Sequence, residues 1–230
     1  MANILRTGGR CCLILGFLSA LAVLCLRWIV PPTSAGMLED RLGRILAGNK
    51  PGAVRYQWVD WKDISPYLPL AVVAAEDQKF PFHRGFDVDS MRKAVAAYRD
   101  NHRLRGASTI TQQVAKNLFL WPGRSFIRKG IEAYFTLLLE ALWPKERILE
   151  VYVNIVQFGD GIYGVQAAAT ALMGKSPADL TENDAALLAA VLPNPLLLKV
   201  SRPSGYVLER RQWIREQAGR LGGLSYLKNM

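Results

Sequence analysis

Hydrophobic residues are distributed along this chain in two ways: one unbroken run near the N-terminus, then helical spacing almost to the end. The run extends from Cys11 to Leu26, softened only by Gly16 and Ser19; Arg27 interrupts it, Trp28-Ile29-Val30 extends it and Pro31-Pro32 stops it. At about 1.5 Å per residue, a helix over 11–30 is just long enough to cross the hydrocarbon of a bilayer. The pattern therefore predicts a single transmembrane helix, with Arg27 snorkelling and Trp28 at the interface. Arg6 and Arg10 precede it, which assigns residues 1–10 to the cytoplasm and the remainder to the far side. A cleaved signal peptide ending near Thr33-Ser34-Ala35 is the competing reading; the run is long for one, and the uncleaved anchor is preferred.

Pro31 to Gly36 reads as a linker, Met37 to Ala47 as a charged helix, and Gly48-Asn49-Lys50-Pro51-Gly52 as a turn cluster. Residues 31–52 thus join the anchor to one domain over 53–230. Val54, Tyr56 and Trp58 alternate with polar neighbours and predict a short strand. From Pro69 the spacing is helical almost throughout, so the domain is expected to be mainly α. An apolar helix from Pro69 to Ala75 is closed by Glu76 and Asp77 and followed by the breakers Pro81 and Gly85. Asp87-Val88-Asp89-Ser90 opens a helix to about Tyr98. Ser108 or Thr109 caps the next, whose apolar stripe is Ile110, Val114 and Leu118. Thr181 caps a helix over Asp184 to Leu192, with Asp184 at a capping-box position and Pro193-Asn194-Pro195 ending it. A basic terminal helix from Glu209 to Arg220 is expected to pack through Val207, Leu208 and Trp213.

The 230 residues carry a formal net charge of +10, which calls for an anionic partner: nucleic acid, phospholipid head groups or a phosphorylated substrate. All three cysteines (Cys11, Cys12, Cys25) lie in the apolar run, so the domain has no disulfide and no thiol chemistry. Its two histidines, His83 and His102, are too few for a tightly held zinc.

Three stretches carry candidate chemistry. In Glu76-Asp77-Gln78-Lys79-Phe80-Pro81-Phe82-His83-Arg84-Gly85, a carboxylate sits at the negative end of a helix dipole behind an apolar turn. Both effects disfavour its charged form and suit a general base with a raised pKa; a frayed, solvated helix end is the plainer reading. In the second, Gln112, Gln113 and Lys116 share a face away from the apolar stripe and suit a sugar and a phosphate; an ordinary amphipathic helix explains the same spacing. In the third, Arg124-Ser125-Phe126-Ile127-Arg128-Lys129-Gly130-Ile131-Glu132, three cations surround one acid. Arg128 precedes Glu132 at i, i+4, the weaker order for helix support, and a surface ion pair is the plain alternative.

Taken in order, the residues resemble the peptidoglycan glycosyltransferases, the lipid II polymerases related to the glycosyltransferase domain of class A penicillin-binding proteins, in their single-function, membrane-anchored form. The matches are Glu76-Asp77-x-x-Phe80-x-x-His83-x-Gly85, then Gly106-x-Ser108-Thr109-Ile110-Thr111-Gln112-Gln113-x-x-Lys116-Asn117 and Arg128-Lys129-x-x-Glu132. Arg147-Ile148-Leu149-Glu150-x-Tyr152-x-Asn154, Gly159, Gly164 and Ala185-Ala186-Leu187-Leu188-Ala189 with Pro193-Asn194-Pro195 follow in register. Ala107, Val153 and Leu172-Met173 depart from the family's usual glycine, leucine and aromatic pair.

The resemblance implies a lysozyme-like, two-lobed fold, with the domain in the periplasm beside the inner membrane. The basic stretch from Ser90 to Arg105 would face the lipid. It implies transfer of a growing glycan on undecaprenyl pyrophosphate to the GlcNAc 4-hydroxyl of lipid II, with inversion. Glu76 would be the catalytic base and Glu132 the second catalytic glutamate, orienting cations or donor. Lys116, Arg124, Arg128 and Lys129 would hold the pyrophosphate. Ser108, Thr109, Gln112, Gln113 and Asn117 would position sugar or phosphate, and Asp77 and His83 would support the first acid; Tyr152 and Asn154 read as structural. No cofactor or metal ligand set is required, although a divalent cation at the pyrophosphate is allowed. The implied partners are lipid II, the glycan chain and membrane lipid, not nucleic acid; an association with cell-wall synthesis or division proteins is compatible with this.

Two further classes remain: a lytic enzyme acting on finished glycan, disfavoured because neutral glycan has no pyrophosphate for the cations, and a catalytically silent membrane scaffold. Ser90-Met91-Arg92-Lys93 and Ser225-Tyr226-Leu227-Lys228 fit the Ser-x-x-Lys of penicillin-acylated enzymes. That fold needs a further large domain for which the chain, ending at Met230, leaves no room, so no acylation is expected.

Overall fold

The computed structural model describes residues 2–48, 54–101, 108–123 and 125–230. Among these the chain is mostly helical: α1 Ala2–Cys25, α2 Ala35–Leu46, α3 Tyr67–Glu76, α4 Val88–Asn101, α5 Ile110–Phe119, α6 Phe126–Leu142 and α7 Lys145–Ile155, then α8 Gly164–Ala168, α9 Glu182–Val191 and α10 Gly205–Arg220. Two short antiparallel strands, β1 Gln157–Gly159 and β2 Ile162–Tyr163, pair between α7 and α8.

The centre of the domain is α3, buried from Leu68 to Ala74. A helix apolar on every side has no solvent face to present, and α3 is accordingly enclosed by α9, α10 and α7. α5 packs on α6 and α7, so α7 touches both groups of helices. The caps follow the expected chemistry. Thr181 and Asp184 close a capping box on α9, and Thr109, rather than Ser108, closes one on α5 with Gln112.

The strand expected over Val54 to Trp58 is reduced to a single bridge between Arg55 and Ile162. Arg55 pairs with the backbone of Gly161 and Tyr163, and just past the expected strand a side chain takes over. Buried Asn154 accepts from the Val59 N–H and donates to the Val59 carbonyl, each at 2.9 Å. That satisfies the backbone without a ladder.

The N-terminal helix also differs from expectation. It ends at Cys25 rather than running over 11–30, and no helix among the described residues is long and apolar enough to cross a membrane. Its apolar part, 11–25, covers about 22 Å, short of a hydrocarbon core of roughly 30 Å. The expected continuation is held by the domain instead. Arg147 donates to the carbonyls of Leu26 and Ile29, each at 2.9 Å, and Trp143 donates to Val23 at 2.8 Å. Arg27, expected to snorkel, donates to the Leu142 carbonyl at 2.9 Å.

Candidate active site

Glu76 is the last residue of α3, and burial of that helix carries the carboxylate to the edge of the core. Its side chain is 16% exposed, and its two oxygens have different partners. Oε2 accepts from Nε2 of Gln113 on α5 at 3.1 Å, while Oε1 faces Nη2 of Arg210 on α10 at 3.4 Å. The amide of Gln113 is in turn fixed by Tyr152 of α7, whose hydroxyl donates to its Oε1 at 3.1 Å. Burial pushes the Glu76 pKa above the ordinary carboxylate range. The Gln113 hydrogen bond and the charges of Arg210 and Lys116 pull the other way, and Asp77 adds to the rise.

The second acid lies in the first turns of α6. Ser125 caps that helix by accepting from the Arg128 N–H at 3.1 Å. Glu132, only 3% exposed, pairs with Arg128 at 3.4 Å and with Lys129. The plain alternative of a surface ion pair does not describe this arrangement, because the acid is buried and holds Arg128 against the fold, with Lys129 reaching it from a half-exposed position. The Arg128 side chain is 13% exposed, and its Nε–H is buried without a partner.

Lys116 on α5 is exposed, and its charge acts on both acids. Desolvation pushes its ammonium below the ordinary lysine range; Glu132 opposes this, Arg128 and Lys129 reinforce it, and Glu76 opposes it. The side chain therefore lies within electrostatic reach of both Glu76 and the cluster around Glu132.

Other expected site residues are placed differently. Gln112 is buried, and its Oε1 accepts from the Thr109 N–H at 3.0 Å. It closes the capping box and does not share the open face expected of it with Gln113 and Lys116. Thr109 is buried as well, donating to the Gly85 carbonyl at 2.6 Å. Asp77 is bonded to His83 Nε2 at 2.9 Å and accepts from the Ile110 N–H at 3.0 Å, so this pair braces the start of α5 against the end of α3. Ser108 is exposed and Asn117 is partly buried. Arg124 lies outside the described residues, as do His102, Arg103 and Arg105. On α4, Arg92 and Lys93 are exposed.

A cavity of about 390 Å³ opens beside Glu76, lined by Asp77, Lys79, Asp87, Ser108 and Trp213 among others. Trp213 and Leu208, expected to pack inside, are both exposed, Trp213 by 42%; α10 packs through Val207, as expected, and through Ile214 and Ala218. Arg210 and Trp213 lie 134 and 137 positions after Glu76. Only the basic character of α10 hinted at a role for Arg210. Tyr152, read as structural, belongs to the same network through Gln113.

Among the described residues no three His, Cys, Asp or Glu side chains gather as a metal centre. Residues 43–219 match the family described as Transglycosylase. The chain belongs to the transglycosylase family. The match begins inside α2, ahead of the expected domain start at residue 53, and ends inside α10. This transglycosylase is similar to proteins called biosynthetic peptidoglycan transglycosylase in three organisms. It is 50% identical over 215 residues to that of Xylella fastidiosa (strain M23), covering 94% of this chain and 88% of the relative. For Xanthomonas campestris pv. campestris (strain B100) the identity is 52% over 210 residues, 91% of this chain and 85% of the relative. For Shigella boydii serotype 4 (strain Sb227) it is 56% over 198 residues, 86% of this chain and 82% of the relative.

Proposed function

We propose that this transglycosylase polymerises lipid II into linear glycan strands in peptidoglycan synthesis. The observation that carries the reading is a pair of held acids, Glu76 bonded to Gln113 and Arg210, and buried Glu132 with Arg128 and Lys129, with Lys116 within electrostatic reach of both. A transfer that expels a pyrophosphate needs a base on one side of the sugar and positive charge on the other.

Glu76 takes the proton of the acceptor's GlcNAc 4-hydroxyl. The freed oxygen forms its bond to the donor's anomeric carbon, the bond to pyrophosphate breaks, and the electron pair leaves on the pyrophosphate with inversion to the β-1,4 linkage. A raised pKa places Glu76 closer to the working pH, where a base is both ionised and able to accept a proton. Lys116, Arg128 and Lys129, together with Arg124, bind the pyrophosphate oxygens. The unpartnered buried Nε–H of Arg128 suits an incoming anion. Glu132 orients the cations. No cofactor enters this scheme, and a divalent cation at the pyrophosphate is compatible with it.

The domain over 53–230 would be lysozyme-like and two-lobed, on the periplasmic side of the inner membrane and held there by the N-terminal segment. Leu13, Ile14, Leu15, Phe17 and Leu18 on α1 are exposed, which supports contact with lipid.

Purified protein is incubated with lipid II and, separately, with intact sacculi. Polymer from lipid II with wild type, and near-total loss with Glu76→Gln while donor binding persists, is the expected result. Shortened sacculi with untouched lipid II would instead identify a lytic enzyme.

A further inference from the structure

The base assigned above is held by a residue from a distant part of the chain. Gln113 contributes a neutral donor to Glu76, fixed in orientation by Tyr152. The charged group paired with the carboxylate is Arg210. Its guanidinium is 21% exposed at the side chain, its Nε–H is buried without a partner, and its centre stands 6.0 Å from the Trp213 ring. α10, anchored by buried Val207, Ile214 and Ala218, packs directly on α3 and so sets this distance.

We propose that Arg210 is the positioning residue of the base, keeping Glu76 ionised and aimed into the cavity that Trp213 helps to line. This rests on the polymerase reading and goes beyond it, since Arg210 stands in none of the stretches that hold the pyrophosphate cations.

The groups facing Glu76 are Asp77 on the same turn, Gln113 and Lys116 from α5, Tyr152 from α7 through Gln113, and Arg210 from α10. Without the guanidinium, burial and Asp77 are opposed only by Gln113 and Lys116. The carboxylate then holds its proton to higher pH, and turnover at lower pH is lost.

The test is lipid II polymerisation by full-length wild type, Arg210→Gln and Arg210→Lys over a range of pH, with kcat and KM separated and folding checked by circular dichroism. In Arg210→Gln the acidic limb of kcat moves up by roughly one pH unit, activity recovers at high pH, and KM for lipid II changes little. Arg210→Lys keeps the charge and shows a smaller shift. If Arg210→Gln does not fold, the Lys variant decides alone. An acidic limb more than about half a unit above wild type, but below the full shift, supports the proposal, and an unmoved limb overturns it. A loss that is independent of pH, or confined to KM, also overturns the proposal and makes Arg210 a substrate-binding cation. These failures leave polymerisation by wild type intact; absence of polymer from wild type would defeat the functional reading instead.

Discussion

Tyr152 decides which end of Gln113 meets the base. Its hydroxyl donates to Oε1 of the amide at 3.1 Å, so the Nε2 end is the one turned to Glu76. A phenol wholly inside the protein, with its own pKa pushed well up by burial, remains a donor at any working pH. Tyr152→Phe removes this lock while keeping the ring. The amide oxygen of Gln113 loses its partner at a cost of about 1–2 kcal/mol, and the amide can turn its oxygen toward the carboxylate. We expect a folded protein with Tm lowered by a few degrees and kcat reduced about 10-fold, the equivalent of about 1.4 kcal/mol. Thermal melts and lipid II turnover check the two effects separately.

Glu76 predicts opposite changes in activity and stability. Its pKa is raised in the folded protein, so the native state holds this proton more tightly than the unfolded chain. Well below the unfolded value, about pH 4, both states are protonated and the group contributes no penalty. As pH rises through the folded pKa, ionisation of a desolvated carboxylate draws down stability. Glu76→Gln should therefore melt above wild type at neutral pH, with the difference closing toward pH ~4, while polymerisation is almost abolished. Thermal denaturation against pH checks the sign. The same raised pKa places the acidic limb of wild-type kcat/KM above the ordinary carboxylate range.

The periodicity of the chain exposed the helices and the order of the chemistry-bearing stretches, because both depend on local spacing. Thr181, and Thr109 with Ser108 as its alternative, are read as caps for the same reason. What stayed hidden depends on distant partners. Gln112 looks available on a helical wheel, yet it turns back on its own helix end. The strand at Val54 to Trp58 shrinks to one bridge at Arg55, whose backbone partners, Gly161 and Tyr163, lie more than a hundred positions later, and just past it Val59 is held by the side chain of Asn154. Arg210 has no local mark beyond the basic character of α10, since only the packing of α10 on α3 brings it to Glu76. The apolar run at the N-terminus reads as a longer helix because the carbonyls of Leu26 and Ile29 are claimed by Arg147, a tertiary contact that spacing does not carry.

Lys116 sets the other end of the pH profile. Its ammonium counters the pyrophosphate only while protonated, and desolvation first, then Arg128 and Lys129, push its pKa down. Loss of the proton at high pH should therefore produce a basic limb below the ordinary lysine value of about 10.4. Lys116→Arg keeps the charge to higher pH, so that limb should move out of the measurable range. The planar guanidinium replaces a compact point charge, and kcat/KM at neutral pH should drop about 10-fold. Rates over alkaline pH for the two proteins check this; a basic limb that stays in place in the Arg variant would assign it to another group.

Gly164 tests the framework beneath the site. Its φ is +77°, and a Cβ added there would stand 2.3 Å from the backbone oxygen of Asn154. Neither term can be relieved by a side-chain rotation, since the obstacle is main chain and the left-handed conformation is disfavoured for any other residue. Asn154 also holds both polar groups of Val59 and lies on α7 two residues after Tyr152. Gly164→Ala should thus destabilise the protein by about 3 kcal/mol or more. At temperatures where the variant remains folded, displacement of α7 should carry through Tyr152 and Gln113 to Glu76 and lower kcat. Gly174→Ala is the control: its φ is +64° but nothing stands within 4 Å of the added carbon. It should cost only the backbone term of about 1–2 kcal/mol and leave kcat unchanged. Denaturant melts and turnover of the two variants side by side would separate backbone strain from the clash with α7.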